Sequence, residues 1–177
     1  IDPIDGTRAF ISGLPVWGTL VGLYHKGKAV MGMMDQPFTG ERFIAKPGES
    51  IVKRNGAVSR LGTRKNVSLD QAIMMTTSPM IFPDALEPSY KRVEASVQLA
   101  RYGCDCYAYA MVASGHIDLV VESDLKPYDV GGLIPLVEQA GGVMTTWTGG
   151  RPEMGGTIVA SGSAALHETV LELLNRN

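Results

Sequence analysis

The chain has 177 residues, a formal net charge of −2, and 45% apolar and 19% charged side chains. That is enough for one ordinary domain, or for two small ones packed together. No apolar run is long enough to span a bilayer, and no Lys/Arg cluster marks a nucleic-acid face; Arg60, Arg64 and Lys65 come nearest and read as a solvated loop.

Cys104 and Cys106 sit two apart. That spacing rarely has disulfide geometry and matches no zinc pattern. Buried thiols in a reducing compartment, and hence a cytoplasmic protein, are expected. The start carries no Met, no basic run and no apolar run of the signal-peptide kind.

In chain order, "TRAFISG" predicts a short helix with Thr7 as its N-cap and Gly13 as its stop. "VWGTLVGLYHKGKAVMGMMDQPFTGERFIAKPG" predicts three strands of an antiparallel meander, turning at Gly27 and at "DQPFTGE". Within it the Met run "MGMMD" reads as strand core, and so does Trp17. "ESIVKRNGAVSRLGT" holds Asn55-Gly56, a strong hairpin signal. "QAIMMTTSP" predicts a short buried strand. "DALEPSYKRVEASVQLARYG" predicts a helix after Pro88 that stops at Gly103. "CDCYAYAMVASGH" predicts another, with Tyr107, Ala110, Met111 and Ser114 as its inward stripe. A strand ("IDLVVES"), a helix ("DVGGLIPLVEQAGG"), two strands ("GVMTTW", "GTIVAS") and an amphipathic helix ("SAALHETVLELLNR") complete the chain. His25, His116 and His167 form no metal-spaced pair and read as surface or capping residues. The fold class is therefore α+β with an α/β portion. Residues 1–68 form an antiparallel-β lobe and residues 69–177 an α/β lobe, sharing an interface.

The chemistry concentrates at "DPIDGT". Pro3 fixes the turn and holds Asp2 extended; Gly6 permits backbone geometry that other residues resist. A helix start just after two carboxylates suits a phosphate only if cations neutralise the repulsion. Hard oxygen ligands of this type suit Mg²⁺ and metal-assisted phosphoester hydrolysis. Taken alone, the string fits a capped turn with two solvated aspartates equally well. It is no EF-hand, since Ile4 and Gly6 stand where ligands belong. A second acidic site tips the balance: "ESDLKPYDVGG" sets Asp129 at a strand-to-helix junction as a third carboxylate.

Together these motifs resemble the inositol monophosphatase superfamily of Mg²⁺-dependent, Li⁺-sensitive phosphatases. "DPIDGT" is similar to its first metal motif, and "KPYDVGG" followed by "EQAGGVMT" to its second, with Tyr128 in place of the usual Trp and Gly132 as the small residue. The resemblance covers essentially the whole chain and implies a layered sugar-phosphatase fold. Within the superfamily, "DPIDGTRAFISGLPVWGTLVGL", "GMMDQPFTGERF", "RYGCDCYAYA" and "DLVVESDLKPYD" resemble the histidinol-phosphate phosphatase branch; Arg8 and Asp105 are among the distinguishing residues. Family members begin with helices and strands that carry a further glutamate ligand and a mobile loop. The chain is therefore expected to be the C-terminal part of such an enzyme.

By the resemblance, Asp2 bridges two Mg²⁺ ions, the Ile4 carbonyl ligates one, and Asp5 and Asp129 ligate the other; a third ion is also seen in this kind of site. Thr7, with Asp2, is catalytic: it orients a metal-activated water, while the Gly6 and Thr7 amides hold phosphate oxygens. The attack is direct, without a phosphoenzyme. By the same resemblance Asp105 and Glu122 are expected to face the cationic part of the substrate, Arg101, just before the "GCDC" turn, to hold phosphate or a water network, and Gly103 and Cys104 of that turn to contact the substrate. The reaction implied is hydrolysis of histidinol phosphate by a homodimer. The alternatives are an inositol monophosphatase or related small-molecule phosphatase, and a non-catalytic metal-binding or dimerising module.

Overall fold

The computed structural model describes residues 1–176. The alternating pattern of the first third builds six strands: β1 (Asp2–Asp5), β2 (Gly18–His25), β3 (Lys28–Gln36), β4 (Glu41–Lys46), β5 (Glu49–Arg54) and β6 (Ala57–Arg60). They pair antiparallel in sequence order. Asn55 and Gly56 have φ of 50° and 79°, the pair of positive values that a two-residue hairpin turn requires. Side chains alternate between faces. Leu20, Met34 and Phe43 are buried on one face, while Leu23 and Met31 are exposed on the other. The Met run is thus only partly core.

The second sheet combines β7 (Ile73–Thr76), β8 (Leu99–Tyr102), β9 (Leu119–Leu125), β10 (Val143–Thr146) and β11 (Gly156–Ser161), in the order β10-β11-β9-β7-β8. β7 runs parallel to β8 and β9, and the rest is antiparallel. The helices are α1 (Thr7–Ile11), α2 (Glu87–Glu94), α3 (Asp105–Ala113), α4 (Pro127–Val130), α5 (Leu133–Gln139) and α6 (Ala164–Leu174). Successive residues of β9 separate the layers. Val120 points into a core shared with α3, α5 and the first sheet; Leu119 and Val121 point into a second core with α2 and α6. The order is sheet, helices, sheet, helices.

Five expectations are corrected. The helix after Pro88 ends at Glu94, and Leu99–Tyr102 is a strand, because Ile73–Thr76 offers it a parallel partner. Of the expected α3 stripe only Ala110 is fully buried; Tyr107, Met111 and Ser114 lie on the less buried side. Cys106, Ala108, Tyr109, Val112 and Ala113 fill the core, so the helix is apolar nearly all round. Gly6, not Thr7, is the N-cap of α1, and the Thr7 hydroxyl turns back to the Ile4 carbonyl at 3.2 Å. Arg64 and Lys65 lie exposed in a loop, as expected, but the loop is pinned and not free. Arg64 forms a bidentate pair with fully buried Asp118, and Lys65 donates to the carbonyls of Gly141 and Gly162. His167 is buried, with Nε2 2.8 Å from Thr145 Oγ1 and Nδ1 3.1 Å from Ser161 Oγ.

Candidate metal centre and catalytic cleft

The two acidic motifs meet where the sheets face each other. β1 delivers Asp2 and Asp5, pairing them opposite Leu20 and Gly18 of β2 with an irregularity between. Asp129 lies in the first turn of α4. Its Oδ2 accepts the Lys126 amide at 2.7 Å, a capping-box bond that fixes one carboxylate oxygen. Asp2, Asp5 and Asp129 each present an oxygen, and the three lie within 4.8 Å of one another. Ile4 gives its amide to Asp2 Oδ1 at 3.1 Å.

Such crowding is unfavourable without positive charge. Burial pushes the Asp5 carboxyl up to about 7, repulsion from Asp129 and Asp105 adds to it, and hydrogen bonds from Cys106 oppose it. One of those bonds is the Cys106 amide donating to Asp5 Oδ1 at 2.9 Å, from the first turn of α3. Asp129 is also raised, by burial first and then by Asp2, against the Lys126 amide. The donors are all hard oxygens, so the group fits a divalent cation of the Mg²⁺ or Ca²⁺ type better than a soft one.

Beyond Asp5 and Asp129 opens a cleft of about 620 Å³. Gly6, Arg8, Thr77, Met80, Ile81 and half-buried Asp105 line it together with buried Tyr109 and Glu122. Asp105 has φ of 43° and presses on Gly6: a Cβ there would sit 3.1 Å from the Asp105 Cβ. Burial raises its carboxyl, while Thr77 and Arg8 lower it. Glu122 is only 3% exposed and accepts the Thr77 amide at 2.6 Å. Burial pushes it up to about 8, against Thr77, with Asp105 adding to the rise.

The structure thus brings Asp2, Asp5 and Asp129 together, and gathers Gly6, Asp105 and Glu122 around the adjoining cleft. Thr7 stays beside Ile4 at the start of α1. Arg101, Gly103 and Cys104 are not among the residues lining the cleft. Arg101 is exposed on the edge strand β8, and the Gly103 amide is tied back to the carbonyls of Thr76 and Thr77. Thr77 and Tyr109 line the cleft without having been singled out in the sequence. Tyr109 carries a faint signal there, four residues after Asp105 on one helix.

The chain is similar to known proteins along its whole length. The inositol monophosphatase family model matches residues 1–177. A bifunctional phosphatase of Arabidopsis thaliana, chloroplastic IMPL2, is 46% identical over 183 residues, covering 98% of this chain and 52% of the relative. A histidinol-phosphatase of Chlorobaculum parvum is 30% identical, covering 97% of this chain and 65% of the relative. The chain therefore spans about half to two thirds of the length of these relatives. A solved inositol monophosphatase from Zymomonas mobilis superposes with a TM-score of 0.91 at 38% identity, covering 98% of this chain and 68% of that one. The chain belongs to the inositol monophosphatase family.

Proposed function

We propose that the protein is a Mg²⁺-dependent phosphomonoesterase, and that its substrate is a phosphate ester with a cationic end, histidinol phosphate foremost. The single observation that carries this reading is the charge layout of the cleft. Three carboxylates converge on one point, and two more, Asp105 and Glu122, line the same cleft outside that cluster. The first group suits cations that receive a phosphate; the second suits an ammonium or imidazolium. Similarity to a histidinol-phosphatase and to a bifunctional phosphatase supports the choice.

Asp2, Asp5 and Asp129, with the Ile4 carbonyl, would hold the metal. When bound, the metal supplies an acidified water and neutralises phosphate charge. The chain's own residues do the rest. Thr7 holds its hydroxyl beside the Ile4 carbonyl, where it can orient the attacking water. Gly6 leaves the mouth free of a side chain, and Asp105 closes on it from α3. Glu122 and Asp105 orient the organic end of the substrate. The same reading carries a homodimer, which light scattering on the purified protein checks.

The test is phosphate release from histidinol phosphate and from inositol 1-phosphate by the complete gene product, with and without Mg²⁺. Preference for histidinol phosphate is expected, with no turnover in chelator. Asp105→Ala should raise KM for histidinol phosphate roughly tenfold, the scale of one charge-assisted contact. Preference for inositol 1-phosphate would overturn the substrate assignment and leave the metal-dependent esterase standing.

A further inference from the structure

Tyr109 is 3% exposed, and its hydroxyl has no hydrogen-bond partner among the described residues. A buried hydroxyl left unpaired is destabilising, because it loses its bonds to water and gains none. A phenylalanine would fill the same space without that cost. The ring lines the cleft with Asp105, which precedes it by one helical turn on α3. Cys106, beside Asp105, gives its amide to Asp5. Tyr109 thus shares the cleft with Asp5 and Asp129 and with Asp105 and Glu122. Glu122, Asp5 and Asp129 line the same cleft and accept hydrogen bonds when ionised, and of these Glu122 acts most strongly on the phenol. Burial keeps the phenol protonated, so it serves as a donor.

The geometry points to Tyr109 as a positioning residue for Glu122: its hydroxyl donates to the Glu122 carboxylate when a cationic substrate draws that carboxylate into the cleft. The inference rests on the substrate reading above. Glu122 Oε1 is already held by the Thr77 amide at 2.6 Å. A second donor from the opposite element stops the carboxylate from rotating away from the substrate. The hydroxyl itself touches no solvent, so it acts through Glu122 and not on the substrate. No bond is made or broken; a carboxylate turns and gains a hydrogen bond.

Tyr109→Phe removes the donor and keeps the ring. In the complete protein, KM for histidinol phosphate is expected to rise three- to tenfold. KM for glycerol 2-phosphate, which lacks a cation, should stay put, and so should the Mg²⁺ half-saturation. The metal-free melting temperature should be equal or higher, since an unpaired hydroxyl is gone. On a Glu122→Gln background the second substitution should add nothing, the mark of a residue acting through another. An unchanged KM overturns the inference. So does an equal rise for both esters with a lower melting temperature, or full additivity with Glu122→Gln. A parent enzyme indifferent to substrate charge overturns the substrate reading and this inference with it. A discriminating parent matched by an equally discriminating Tyr109→Phe overturns this inference alone.

Discussion

Asp118 shows how much can hang on one buried charge. It is 0% exposed and accepts both guanidinium bonds of Arg64, at 2.9 and 2.6 Å, as well as the Ile73 amide at 2.9 Å. Removing one partner strands the other, at about 3–5 kcal/mol for a buried pair. Arg64→Met is therefore expected to cost about 3 kcal/mol in urea unfolding, toward the low end because Arg64 itself is partly exposed. His167 makes a pH prediction. Its usual value is 6.5 and burial lowers it to about 4. Above pH 6.5 both folded and unfolded chains hold it neutral, and stability is full. As pH falls from 6.5 toward 4 the unfolded chain takes a proton that the folded one refuses, so stability declines. His167→Gln should flatten that decline in melting temperature, measured without metal. The three clustered aspartates were legible because each sits in a short string whose neighbours, Pro3, Gly6 and Pro127, announce a turn. Arg64 and His167 were not: the Arg64 partner lies 54 positions away, and nothing local distinguishes a buried imidazole from a surface one.

At the scale of elements, the cage depends on how closely α4 and α5 approach the first sheet. Gly22 and Gly32 are cross-strand partners on β2 and β3. A Cβ on Gly22 would lie 2.5 Å from the Gly131 carbonyl carbon, and one on Gly32 would lie 2.0 Å from the Gly132 oxygen. Tyr24 adds a bond from its hydroxyl to the Pro127 carbonyl at 3.2 Å, at the start of α4. Backbone meets backbone here, so no side chain can yield. Gly32→Ala should cost about 1–3 kcal/mol by overpacking. It should also raise the Mg²⁺ half-saturation, because α4 carries Asp129; calorimetric titration checks this. Most elements were readable from period and punctuation: the meander, its Asn55-Gly56 turn and the closing helix. The run "ASVQLARYG" was not, because a four-residue strand made of helix-tolerant residues exists only through its parallel neighbour. The α3 stripe misled for a related reason. A helix clamped between two sheets is apolar all round, and its period then says little about which side faces in.

At the scale of the molecule, one core runs from Leu20 and Phe43 of the first sheet through α3 and α5 to Val120 and Ile158 of the second. The sheets should therefore melt together, in one calorimetric transition. A ligand that binds only the folded state adds about 2.7 kcal/mol at a hundred times its Kd. Saturating Mg²⁺ should shift that transition upward, and Asp129→Asn should abolish most of the shift. The bond from the Cys106 amide to Asp5 spans 101 positions of sequence. A refolding chain has to close that loop before an incoming ion can find its ligands assembled. Divalent ions should consequently slow unfolding in stopped-flow traces while leaving the refolding rate as it was. The ion would act as a latch on a finished scaffold, not as a seed around which the scaffold grows.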